Sequence, residues 1–237
     1  MSYPRGLILS VFVMLLAAAV WPATAQTPTP LTAEQIVAAL ASHNQTRTAT
    51  LKSAQATRIY RVEYRGFSAV VSARMEVDYY YDAATGKSFR IVSASGPKFL
   101  VEKVLKRAVT SEKEASQDKA ATALTAANYR FRLAGSELLE GRAAYIMDVE
   151  PIVPSKYLIR GRIWVDAAEF ALVKVEAEPA KSPSIWIART QIKQYCARTN
   201  GFWLPARNRS ETSVRLGGTA IFTIDYGSYR TDPGEAQ

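Results

Sequence analysis

A chain of 237 residues with a formal charge of +9 and 48% hydrophobic residues is long enough to bury a sizeable core. Its single cysteine, Cys196, excludes an internal disulfide scaffold, and one cysteine with one histidine, His43, excludes the usual zinc ligand sets. No G-x-S-x-G elbow, P-loop or Gly-rich dinucleotide turn is present, so the common nucleophilic and nucleotide-dependent chemistries have no anchor in the chain.

The first residues combine Arg5, an apolar run from Leu7 to Val20 interrupted by Ser10, and the small residues Ala23-Thr24-Ala25. This pattern predicts a secretory signal peptide over 1–25, cleaved after Ala25, whose apolar run is short for a membrane span. For an exported chain, the positive excess fits anionic lipid headgroups or an acidic partner better than nucleic acid. Residues 26–31 read as a Pro/Thr linker. Thr32 and Gln35 have capping-box spacing, and Ile36, Val37, Ala39 and Leu40 form one apolar side, predicting a helix over 32–43 that ends at a solvated His43.

From Ala54 the period becomes two. Tyr60, Val62 and Tyr64 alternate with Arg61, Glu63 and Arg65; Gly66 marks a break, and Phe67 to Tyr81 forms an unusually long alternating run. A turn over 82–86 leads to a returning strand. Gly96-Pro97 then opens an interior helix over 97–110, with Leu100, Val101, Val104, Leu105, Ala108 and Val109 at three-and-four spacing. Residues 111–119 (SEKEASQDK) read as a solvated loop. Spacing alone favours a helix that caps the core; the other reading is a movable lid over an apolar cavity. Strands resume at Asn128, with turns at Glu140-Gly141, 166–169, 179–183, Asn200-Gly201 and Gly217-Gly218. About ten strands joined by short turns predict a curved antiparallel meander of the α+β class, one face apolar and the other charged.

Chemistry is sparse. Glu176 and Glu178 share one side of a strand and Asp166 and Glu169 share a turn, but neither pair isolates one acid from water, so no catalytic residue and no enzyme are expected. Arginines interleaved with aromatics at 58–65 and 130–132 read as the wet face of a half-buried sheet rather than an RNA platform. A wide bent sheet with only two helices leaves apolar surface uncovered, which points to a ligand or partner. The candidate cavity residues are Met75, Val77, Met147, Trp164, Trp186, Trp203 and Phe222 on strands, with Leu100 and Val104 on the interior helix. A plain core accounts for each of them singly. The thioethers of Met75 and Met147 suit irregular ligands such as acyl chains.

The runs Arg162-Ile163-Trp164-Val165-Asp166, Leu172-Val173-Lys174-Val175-Glu176, Gly201-Phe202-Trp203-Leu204-Pro205-Ala206-Arg207 and Thr223-Ile224-Asp225-Tyr226-Gly227-Ser228-Tyr229 resemble the outer-membrane lipoprotein-sorting, LolA-like superfamily over residues 32–230, with 231–237 as a C-terminal tail. The resemblance implies an incomplete antiparallel β-barrel with helices covering its concave apolar face. It implies a soluble periplasmic carrier that binds acyl chains of lipids or lipoproteins non-covalently, with no cofactor and no metal. The implied partners are a lipid or acylated lipoprotein and a membrane-protein donor or acceptor, with peripheral membrane contact and no nucleic acid. Relatives that act as envelope-stress regulators imply a second reading, an interaction module that binds a membrane protein. The strand arginine with which the carrier holds its lid corresponds to Arg58 or Arg61, and the sequence leaves both open.

Overall fold

The computed structural model describes residues 31–182, 187–215 and 217–234. The expected signal peptide and Trp186 lie outside them. The predicted capping box forms: the Thr32 hydroxyl accepts from the Gln35 backbone N–H at 3.3 Å, and the Gln35 side chain accepts from the Thr32 N–H at 2.8 Å. Helix α1 then runs from Ala33–Thr50, well past the expected end, so His43 sits inside it. In the Thr-rich extension Thr48 and Thr50 turn their hydroxyls back on the helix, donating to the carbonyls of Asn44 and Thr46 at 2.9 Å each, while Arg47 ties this part of the helix to the Trp203 carbonyl at 3.4 Å. Replacing Thr32 by alanine removes half of the box. The expected loss is about 1 kcal/mol, read as a lower urea midpoint.

Eleven strands follow among the described residues: β1 (Ser53–Arg65), β2 (Val70–Asp82), β3 (Gly86–Ser95), β4 (Tyr129–Leu139), β5 (Arg142–Pro151), β6 (Ile159–Asp166), β7 (Leu172–Pro179), β8 (Ile187–Thr199), β9 (Phe202–Val214), β10 (Thr219–Tyr226) and β11 (Arg230–Asp232). They form one antiparallel sheet in the order β3-β2-β1-β10-β9-β8-β7-β6-β5-β4, with β11 pairing the start of β1. The sheet does not close: β3 and β4 remain its edges, which is the expected incomplete barrel. Two details differ from the sequence reading. Strand β2 starts at Val70, leaving Phe67 in the turn, and β11 carries pairing on to Asp232. The hairpin turns read from Glu140-Gly141 and Asn200-Gly201 have positive φ at both central residues (52° and 82°, 49° and 85°), matching the twist of their strands.

Register makes the two faces explicit. One row crosses the ten strands from β4 to β3 as Leu133, Met147, Ile163, Val175, Gln194, Asn208, Ile224, Tyr60, Met75 and Ala94. One residue along, the opposite face reads Arg132, Asp148, Arg162, Glu176, Lys193, Arg209, Thr223, Arg61, Arg74 and Ser95. The first face is apolar at both ends and amide-lined on β8 and β9, where Asn208 donates to Gln194 at 3.3 Å. The second is charged, and along this row the sign alternates from strand to strand between β4 and β7.

Each apolar end has its own helical cover. Ile36, Val37 and Leu40 of α1 pack on Met147, Val149, Ile163, Val165 and Val175. At the other end lies the interior helical run, which is longer and less regular than the expected 97–110. It comprises α2 (Lys98–Leu100), a π-helical turn (Val101–Leu105) and α3 (Lys106–Gln117), followed by α4 (Lys119–Thr122). Its Leu100, Val101 and Leu105 pack on Tyr60, Val62, Met75 and Val77. The residues read as a solvated loop are helical because their charges are held. Glu112 meets Arg58 and Lys87, and Glu114 accepts from the Tyr157 hydroxyl at 2.9 Å.

Candidate functional site

The strap, residues 98–117, covers the β10-β1-β2 end of the inner face with two different halves. Its first half is apolar: Leu105 is fully buried, and Leu100 and Val101 nearly so, above Tyr60, Met75 and Val77, which have no exposed surface. The π-helical turn fits this role, since one wide turn lets consecutive apolar residues reach down together. Its second half, α3, buries no residue. That half sets Ala108 and Val109 at the margin of the apolar cluster and is held past them by polar contacts: Arg58 Nη1 donates to both oxygens of Glu112 at 3.1 and 3.0 Å, Lys87 Nζ donates to one of them at 3.0 Å, and the Tyr157 hydroxyl donates to Glu114.

Arg58 is the exceptional residue of the sheet. Strand alternation puts it on the inner face between Ala56 and Tyr60, and it is 2% exposed, whereas the Arg61 side chain is 49% exposed on the charged face and pairs with Asp225. Of the two arginines the sequence left open, only Arg58 therefore meets the strap. Its guanidinium lies 3.5 Å from the Tyr79 ring centre and 4.7 Å from that of Tyr226, so aromatic faces stabilise a charge that burial would penalise. Burial works to raise the Glu112 carboxyl, but the Arg58 and Lys87 charges outweigh it and hold the group below the ordinary glutamate range.

The other expected site residues divide between the two faces. Met75 and Val77 lie with Leu100 in the cluster under the strap, with Val104 and Phe222 packed at its margin. Met147 is on the same face but under α1, three strands beyond the amide-lined strip. Trp164 and Trp203 belong to the opposite face, where they share a small cluster with Ala144, Ala171 and Val173. The cause is strand parity: Trp164 stands between the inward Ile163 and Val165, and Trp203 between the inward Phe202 and Leu204. They are structural residues there. Trp203 Nε1 donates to Glu169 at 3.1 Å, and Lys174 lies 4.1 Å from the Trp164 ring centre.

The two carboxylate pairs also have structural partners. Asp166, 2% exposed, accepts from Arg142 at 2.7 and 3.0 Å and from the backbone N–H groups of Ala168 and Glu169. Burial alone would raise its pKa; these donors hold it below the usual carboxylate range. Glu178 pairs with Arg160 and Arg189, and Glu176 with Lys174 and Lys193. His43, expected to be solvated, is half-buried beside Arg47, and burial lowers its pKa. Burial pushes the Cys196 thiol up to about 11, which leaves it protonated and a poor nucleophile at neutral pH. Among the described residues no group of three or more His, Cys, Asp or Glu is placed to hold a metal ion.

A groove of about 710 Å³ lies on the charged face between β4 and β8 and is lined by Arg130, Arg132, Asp148, Arg162, Glu176 and Lys193 among others. Ion pairs cross it, Arg162 with Asp148 and Lys193 with Glu176, and Phe131, Val149 and Ile192 also border it. No helix of the described residues is long and apolar enough to cross a membrane.

No family model matches the chain, and no curated protein does. Among solved structures it is similar to a DUF1329 family protein from Desulfovibrio piger (12% identity, 87% of this chain and 96% of that one, TM-score 0.44). It is also similar to a LolA superfamily protein from Nitrosomonas europaea (14%, 86% and 94%, TM-score 0.41). A third is an outer membrane lipoprotein-sorting protein domain from Vibrio parahaemolyticus (14%, 83% and 93%, TM-score 0.36). The LolA-like description reached from the sequence thus recurs among the similar structures. At these TM-scores none of the three bears on the functional reading, which rests on the strap and Arg58.

Proposed function

We propose that the protein is a soluble periplasmic carrier that takes an acyl chain of a lipid or lipoprotein under the strap, against Tyr60, Met75, Val77 and Phe222. The observation that carries this reading is the construction of the cover. Leu100, Val101 and Leu105 fill the apolar end of an open sheet, while the half of the strap beyond them is tied down largely by polar contacts, the Arg58–Glu112–Lys87 cluster and Tyr157–Glu114. The apolar seal thins along the strap: Leu100, Val101 and Leu105 are buried, Ala108 and Val109 of α3 reach the margin of the same cluster, and the contacts of Glu112 and Glu114 beyond them are polar. In the closed form the strap side chains occupy the place of ligand methylenes, and the bound chain replaces them when the strap swings out. Burying each CH₂ of the ligand contributes about 0.8 kcal/mol, enough for a long chain to compete with three side chains. Met75 lines the floor, and its thioether adapts to a chain of variable path. The charged face, with its excess of cations at Arg130, Arg160 and Arg189, is then the side that meets a membrane or a protein partner.

The test is uptake of a fluorescent fatty acid by the native chain, together with native mass spectrometry of protein taken from its own periplasm. The expected result is a blue-shifted probe displaced by unlabelled myristate, and a co-purifying mass of lipid or acylated peptide. A chain that takes up no probe and emerges without added mass overturns the reading.

A further inference from the structure

The latch holds more hydrogen-bond donors than Glu112 can satisfy. Arg58 Nε and the hydroxyls of Tyr60 and Tyr229 are buried, and none of them has a hydrogen-bond partner. Buried donors without acceptors are costly, and three around one guanidinium are unusual in a packed interior. Tyr60 is fully buried and Tyr229 8% exposed. Burial pushes both phenols up, Tyr229 to about 12, against the opposing influence of Arg58. Both therefore remain O–H donors at neutral pH. The open side of the cluster is the side of Glu112 and Lys87, whose side chains are 25% and 33% exposed.

We propose that Arg58, Lys87, Tyr60 and Tyr229 form a headgroup site for anionic amphiphiles, and that Glu112 occupies it as an internal stand-in for the ligand's acid. This rests on the carrier reading and specifies its ligand: an acyl chain bearing an anionic oxygen headgroup, phosphate or carboxylate. The chain lies where Leu100, Val101 and Leu105 now pack, and the headgroup takes the donors that Glu112 uses together with those it does not reach. Because Glu112 is carried on α3, displacing its carboxylate and releasing the strap are a single event. The headgroup thus opens the cover as it binds.

The experiment is displacement of a neutral fluorescent acyl probe by dodecyl phosphate, dodecanoate, dodecanol and inorganic phosphate, on the full native chain and on Glu112→Gln and Lys87→Met, with circular dichroism confirming each fold. In the native chain at least one dodecyl anion should bind more tightly than dodecanol, and the tighter anion identifies the headgroup. Glu112→Gln should raise the anion-to-alcohol affinity ratio about tenfold, since one charge-assisted contact no longer competes. Lys87→Met, a half-exposed site that tolerates change, should lower the same ratio. If dodecanol matches the anions in all three proteins, the headgroup site is wrong while the carrier reading stands. If no dodecyl compound displaces the probe, both fall. If inorganic phosphate competes as well as dodecyl phosphate, the site serves a free anion and the amphiphile assignment is overturned.

Discussion

Replacing Glu112 by alanine should release α3 while the sheet beneath α1 stays intact. The substitution leaves Arg58, 2% exposed, with no carboxylate. Breaking a buried ion pair by removing one partner costs about 3–5 kcal/mol, and the lower figure applies here because α3 can lift and admit water. Hydrogen exchange would quicken across 106–117 and remain slow in Ile36, Val37 and Leu40 of α1. The acid dependence follows from the direction of the Glu112 shift. Its folded pKa lies below the ordinary value. The latch therefore contributes in full above the ordinary glutamate pKa of about 4.3, and its contribution is lost as the pH falls through the lower folded value. Glu112→Ala should flatten that part of the stability–pH curve. An acid limb identical to that of the native protein, or unchanged exchange in α3, would show that Glu112 is not what holds the strap.

Gly161→Ala should be the most damaging single change in the sheet. Gly161 lies within β6 at φ +142°, a conformation that side chains rarely adopt. A methyl there would stand 2.5 Å from the Glu176 carbonyl oxygen and 2.7 Å from the Ala177 Cα, both backbone atoms of the neighbouring strand. Neither can swing aside as a side chain would, so β6 and β7 must part. The expected loss is about 4 kcal/mol or more, at the exceptional end for one substitution. Urea denaturation of the purified variant measures it, and a midpoint within error of the native value would mean that β7 accommodates the methyl.

Most of the sheet was legible because its alternation is clean. Tyr60, Val62, Met75 and Val77 face inward as period two requires, and Asn200-Gly201 forms the hairpin turn its dipeptide announces. Three features were hidden for identifiable reasons. The helical character of 111–117 comes from contacts of Glu112 and Glu114 with residues 87, 58 and 157, distant in sequence, so local composition reads as loop. The length of α1 runs through threonines that propensity counts against a helix, and the Arg47 contact with Trp203 that accompanies it is distant in sequence. The side on which Trp164 and Trp203 lie was fixed by the parity of their neighbours, yet their size drew them into the cavity list. The key site residue was half legible. Arg58 stands at an inward position of an alternating strand, and an arginine in an apolar phase is itself the signal. What the sequence could not supply was its partner, because Glu112 lies past the predicted end of the interior helix, in the stretch read as a solvated loop.

The open sheet has a consequence for assembly. Its two unpaired edges, β3 and β4, are the places where a second copy could continue the ladder. On β3 the outward charge is Arg90, with serines at the neighbouring outward positions; β4 carries Arg130 and Arg132 towards one end and Glu137, which accepts from Trp164, towards the other. Like charges directly opposite each other in a ladder are destabilising, so a copy that set Arg90 against Arg90, or Arg130 against Arg132, would meet repulsion at the rim. The basic stretch of each border therefore works against adding a further strand there.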